Sequence, residues 1–249
     1  MSDKEEVSRR SLLRSATVAG AAVAATMSPP AMAPQSAQAQ TSAASAAPVV
    51  ANAATASSGY TFLGPVDAAF FEAVADHMVP ADELTPGGVD LGIAVFIDRA
   101  LAGSWGKGDR LYAQGPWKLG TPNQGYQLPL TPAELFRSGV EQTNIHCAKT
   151  FGGKTFDGLT SQDKEQVLKG LETGTIKFES GLPATVFFAE MYQAVMQGMF
   201  ADPIYGGNRD KASWKMIGFP GVIEVNQKNI VDYRNKKFPT EPLSIADVG

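Results

Sequence analysis

From Pro65 onward, apolar side chains recur at helical rather than strand spacing. Phe70, Phe71, Val74, Ala75 and Met78 repeat every three or four residues, with Glu72 and Asp76 on the other side. That is the pattern of a helix with one buried stripe. Pro65 opens it where a missing N–H costs nothing, and Pro80 closes it. A second helix is predicted from Asp90 to Leu101, burying Ile93, Phe96, Ile97 and Leu101 and stopping at Gly103. A third begins at Thr131–Glu134, TPAE, a capping box in which the Thr hydroxyl and the Glu carboxylate each satisfy a free backbone N–H. It continues through Leu135, Phe136, Val140 and Cys147 to Phe151, where Gly152 and Gly153 break it. Thr160 and Asp163 repeat the device before Val167, Leu168 and Leu171, with Gly174 as the stop. The fifth helix, Pro183 to Phe200, is apolar on most faces, which marks a helix central to a core or covered by another chain. Met191, Met196 and Met199 on it read first as core, and second as an adaptable binding surface.

Alternation of the strand kind is scarce, so the fold is expected to be mainly α, a single compact helical domain over residues 60–238 with a tail at 239–249. Two stretches interrupt the helices. Gly103 to Leu130 is long for a connection and holds Trp105, Tyr112, Trp117 and Tyr126 among many Gly and Pro. Ala201 to Gly221, ADPIYGGNRDKASWKMIGFPG, adds Tyr205, Trp214 and Phe219 on a similarly irregular backbone. Aromatic side chains displayed this way are characteristic of interfaces. Gly206 and Gly207 read as a tight turn.

The segment before the domain has a different grammar. Ser8, Arg9, Arg10, Leu12, Leu13 and Arg14 match a twin-arginine export signal leading into the uncharged run SATVAGAAVAA, residues 15–25. A membrane span needs about 20 strongly apolar residues, so this run is read as a signal peptide and not an anchor. Ala37 and Ala39 form the better small-x-small cleavage pattern, giving a signal peptide over 1–39. Residues 40–59 are Ala- and Ser-rich and offer too few large side chains for a core, so they read as a flexible linker.

Charge and cysteine content narrow the field. Taking Lys4, Arg9, Arg10, Arg14 and Asp3, Glu5, Glu6 from totals of 21 basic and 25 acidic residues leaves 17 and 22, a net charge of −5. There is no basic run, which argues against nucleic acid as a partner. Cys147 is alone, so no internal disulfide forms even in an oxidising compartment.

Candidate chemistry is sparse. His77 and His146 are the two histidines, and no Glu-x-x-His or multi-ligand spacing accompanies them. His146 and Cys147 are sequence neighbours, which on a helix point in different directions. Cys147 reads as a small core hydrophobe and His77 as a helix C-terminal cap. Gly103, Gly106 and Gly108 follow a helix, whereas a dinucleotide turn follows a strand. No phosphate loop, haem-attachment motif or Gly-x-Ser-x-Gly elbow is present. Asp202, Arg209 and Asp210 read as loop braces.

The stretch Phe187–Gly221, FFAEMYQAVMQGMFADPIYGGNRDKASWKMIGFPG, closely resembles the gluconate 2-dehydrogenase subunit 3 family, most specifically in its ADPIYGGNRD and WKMIGFPG blocks. FFEAVADHMVP, residues 70–80, resembles the family's first helix. The resemblance implies the small, non-catalytic subunit of a membrane-bound heterotrimer. In such a complex a large flavoprotein carries FAD and oxidises D-gluconate to 2-dehydro-D-gluconate. A multihaem cytochrome c subunit passes the electrons to quinone. The small subunit carries no cofactor, metal or catalytic residue and lends its signal to the large subunit, so that both cross by the twin-arginine translocase. The implied location is the periplasm, with attachment to the cytoplasmic membrane through the complex. Trp105, Tyr112, Trp117, Tyr205, Trp214 and Phe219 are then expected at the interface with the large subunit. The motif does not separate gluconate from sorbitol, fructose or glucose systems. Two other readings are an independent periplasmic enzyme, against which the scarcity of His and Cys speaks, and a stand-alone periplasmic binding protein, which a saturable small-molecule site would mark.

Overall fold

The computed structural model describes residues 59–109, 111, 115–118, 120–121, 124, 126–222, 227–238 and 241–248. The expected export signal (Arg9, Arg10, Leu12, Leu13), the cleavage site (Ala37, Ala39), the greater part of the linker and Tyr112 lie outside the described residues.

The fold is mainly α, and all five predicted helices are present: α1 Pro65–Met78, α2 Ile93–Ala102, α3 Pro132–Thr150, α4 Ser161–Glu172 and α5 Ala184–Phe200. Three short helices that the pattern does not announce follow: α6 Ala212–Ile217, α7 Asn229–Asp232 and α8 Ile245–Val248. Among the described residues the only strand-like pairing is an isolated parallel bridge between Gly221 and Leu243. α2 starts at Ile93, three residues later than predicted, because Gly92 sits in the left-handed region at φ 80° and Asp90 and Leu91 form a turn before it. The capping box of α3 is complete: Thr131 Oγ1 accepts from Glu134 N at 3.3 Å, and Glu134 Oε2 accepts from Thr131 N at 2.8 Å. Thr160 caps α4 in the same manner through Asp163 N.

α5 packs against α2, α3, α4 and α6 and is the axis of the body. The core it organises is aromatic. Phe70, Phe71, Phe136, Phe156 and Phe187 are all fully buried. Phe70 meets Phe71 edge-on at 5.3 Å between centroids, and Phe136 meets Phe187 in the same way at 6.2 Å. Each such ring contributes about 1.5–3 kcal/mol from burial alone. Gly139 on α3 is what admits Phe187: a Cβ there would run into the Phe187 ring.

The start of the domain is tied to this core by one carboxylate. Asp98 on α2 is 3% exposed. Its Oδ1 accepts from Phe62 N at 2.7 Å and Leu63 N at 2.9 Å, and its Oδ2 accepts from Thr61 N at 2.9 Å. Tyr60 adds a bond from its hydroxyl to Glu72 Oε1 at 2.5 Å. Residues 241–248, read from sequence as a tail, return to the body, with Val222 N donating to Leu243 O and Leu243 N to Pro220 O.

Candidate functional site

The segment 201–222 leaves α5 at its C-cap, Ala201, and must turn the chain back across it. Asp202 begins the turn: its Oδ1 accepts from Ile204 N at 3.0 Å, closing the short helical turn Pro203–Tyr205. Gly206, at φ 104°, adopts a conformation that L side chains avoid. Gly207 lies against the Gly198 carbonyl of α5, so closely that a Cβ would overlap it. The pair therefore forms the tight turn expected, and it also sets loop and helix backbone to backbone.

Asn208 is the staple. It is fully buried at φ 45°; its Nδ2 donates to Ala201 O at 3.0 Å and its Oδ1 accepts from Ser213 N at 2.9 Å, joining both ends of the loop. Arg209 N donates to Leu91 O, which fixes the loop to the start of α2. Asp210 and Lys211 also hold positive φ, at 56° and 57°. Trp214 on α6 is 5% exposed; its Nε1 donates to Phe200 O at 2.8 Å, and its ring meets Phe219 edge-on at 5.1 Å. The C-terminal segment closes over the loop. Asp202 Oδ2 accepts from Ile245 N at 2.8 Å, and Lys211 Nζ lies 2.9 Å from Asp247 Oδ2. Bonds from the Ser244 backbone and hydroxyl, together with Lys211, hold the Asp247 carboxyl down at about 2.

The aromatic positions read as interface candidates therefore divide. Tyr205 is 55% exposed, and Trp105 and Trp117 are exposed, although one edge of Trp105 rests on Phe136. Phe219 is half-buried. Trp214 belongs to the packing of its own chain, because its indole is enclosed and its donor is satisfied internally. Tyr126, half-buried, donates from its hydroxyl to Leu130 O at 2.7 Å and so fastens the end of the long loop.

Of the Cys and His side chains singled out from sequence, Cys147 lies in the core and His77 in a pair between helices. Cys147 is fully buried, and burial pushes its thiol up to about 11, so it is a neutral core side chain near pH 7. Burial likewise lowers the pKa of half-buried His146, and no hydrogen bond joins the two. His77 Nε2 lies 3.0 Å from Glu165 Oε2, bridging α1 and α4. Among the described residues no group of three His, Cys, Asp or Glu is placed to hold a metal, and no helix is long and apolar enough to cross a membrane.

Sequence reasoning missed Asp98. The signal was present: position 98 lies on the same stripe as Ile93, Ala94, Ile97 and Leu101, so a carboxylate there had to be buried and hydrogen-bonded. It also missed that Asp202 and Lys211 receive the C-terminal segment, since nothing local to either side announces that pairing.

A family model described as gluconate 2-dehydrogenase subunit 3 matches residues 65–221, more than half of the chain. No curated protein and no solved structure matches it.

Proposed function

The chain belongs to the gluconate 2-dehydrogenase subunit 3 family, and from that membership we propose that it is the small, non-catalytic subunit of a heterotrimeric flavin-dependent dehydrogenase that oxidises D-gluconate to 2-dehydro-D-gluconate. In this reading the large subunit binds FAD and substrate, and a multihaem cytochrome c subunit carries the electrons to quinone. The small subunit supplies assembly and the twin-arginine signal, so that the flavoprotein, already folded around its cofactor, is exported with it to the periplasm.

The observation that carries the reading is the match over residues 65–221, which spans α1 to the Gly221 bridge and thus the packed body of the domain. Two familiar cofactor motifs are absent from the sequence. Covalent haem attachment through Cys-x-x-Cys-His needs two cysteines, and Cys147 is single. The Gly103–Gly108 run follows α2 rather than a strand, so it is not the turn that cradles a dinucleotide. In this reading the redox chemistry belongs to the partner subunits.

The test is cell fractionation with Arg9→Lys and Arg10→Lys together, following gluconate oxidation and the flavoprotein. Lysine keeps the charge and loses the planar fork of donors. Retention of both chains in the cytoplasm is the expected result. Normal arrival of the flavoprotein in the periplasm would show that it travels by its own route and would overturn the escort role.

A further inference from the structure

We propose that the outward face of α5 is the surface on which the large flavin subunit of the dehydrogenase seats. This rests on the reading of the chain as a dehydrogenase subunit. α5 turns Phe187, Met191, Ala194, Val195 and Gly198 into the core. Its other side presents Phe188, Ala189, Tyr192, Gln193 and Met196. Glu190 is the one charged residue in the whole helix, and it is half-buried. The Phe188 and Tyr192 rings stack at 6.2 Å with 14° between their planes. Tyr192 is nonetheless 48% exposed. These side chains line an open groove of about 530 Å³, bordered by Glu172 at the end of α4.

A helix whose outer face meets water normally carries charge there. The neighbouring α4 does so, presenting Glu165 and Lys169 among glutamines. α5 does not, although it is the longer helix and equally at the surface along Tyr192 and Gln193. The groove is also a poor place for a sugar acid: its only charged lining residue is Glu172, which repels a carboxylate. The family is described as a subunit, which implies another chain in the complex, and in the proposed function that chain is the large flavin subunit. The stripe lies wholly inside the matched residues. The lining sets the partner's chemistry: an apolar segment that places an aliphatic or aromatic side chain against Phe188, Tyr192 and Met196, with no acidic residue opposite Glu172. Central apolar anchors of this kind dominate interface energy.

The experiment uses the full chain co-expressed with the large flavin subunit. Tyr192→Glu combined with Met196→Glu is expected to cut recovery of the large subunit by about tenfold or more, the loss of a hot-spot change, with the circular dichroism spectrum retained. Ile230→Glu with Val231→Glu, at exposed positions elsewhere, is expected to leave recovery unchanged. Should the charged pair disturb folding, Tyr192→Cys decides the matter. Its thiol is expected to react with maleimide in the free chain and to be protected in the complex, while buried Cys147 stays silent in both. Equal labelling of free and complexed chain overturns the proposal, as does wild-type recovery by a folded charged variant. Protection in the chain alone at high concentration assigns the face to a second copy and also overturns it. If the wild-type chain recovers no large subunit, the reading of the chain as a subunit falls, and this proposal with it.

Discussion

Asp98 is the residue on which the start of the domain depends. Three backbone N–H groups of residues 61–63 converge on a carboxylate that is almost wholly enclosed. Asp98→Ala leaves those donors without a partner, and hydrogen bonds to charged groups are the strong ones. A loss of about 3 kcal/mol is expected, read as a lower denaturant midpoint at unchanged slope. Ser213 offers the opposite case. Its Oγ is buried with no hydrogen-bond partner, whereas its backbone N–H is held by Asn208. Ser213→Ala removes the orphaned hydroxyl and keeps the useful bond, so the thermal midpoint should hold or rise, by up to about 1 kcal/mol in stability. Neither effect is visible in residue type alone. A carboxylate on a buried stripe announces that it must be satisfied, but its partners lie more than thirty residues upstream. A serine at the start of a short helix looks like any other.

Elements divide by whether their determinants are local. α1 and α3–α5 were legible because proline, capping box, apolar period and terminal glycine agree within one window, as at Thr131–Glu134 and Gly152–Gly153. Thr131→Ala is accordingly expected to cost about 1 kcal/mol through the lost cap, measurable by chemical unfolding. α6 was not legible: the residues before it, Asn208, Asp210 and Lys211, hold left-handed backbone that no apolar period encodes. The C-terminal strap was read as a tail because its partners, Asp202, Lys211 and Gly221, are remote in sequence. That strap has a pH signature. Asp247 is depressed from 3.8 to about 2 in the folded chain, so its contribution is present above the unfolded value and is lost as pH falls from about 4 towards 2. Protection of the Leu243 and Ser244 amides relative to their intrinsic exchange rates should fall across that window, and Asp247→Asn should give low protection at neutral pH as well.

At the scale of the whole molecule, the family was legible from Phe187–Gly221, because the blocks are long and specific. The division of labour inside that block was not. Trp214 and Tyr205 look equally like display residues in sequence, yet one is enclosed against Phe200 and the other stands in solvent, a difference fixed by the turn at Gly206 and Gly207. Replacing Arg9 and Arg10 with Lys is expected to change where the chain resides and to leave its unfolding midpoint unaltered, which calorimetry on the purified chain would check. The Asp98 clip has a mechanical consequence for a force applied at the N-terminal end of the domain. A pull arriving through Gly59 meets three hydrogen bonds that share one carboxylate in the middle of the body. Tension is thus delivered to α2 as a whole before α1 can be peeled away, so forced unfolding from that end has to break the clip first.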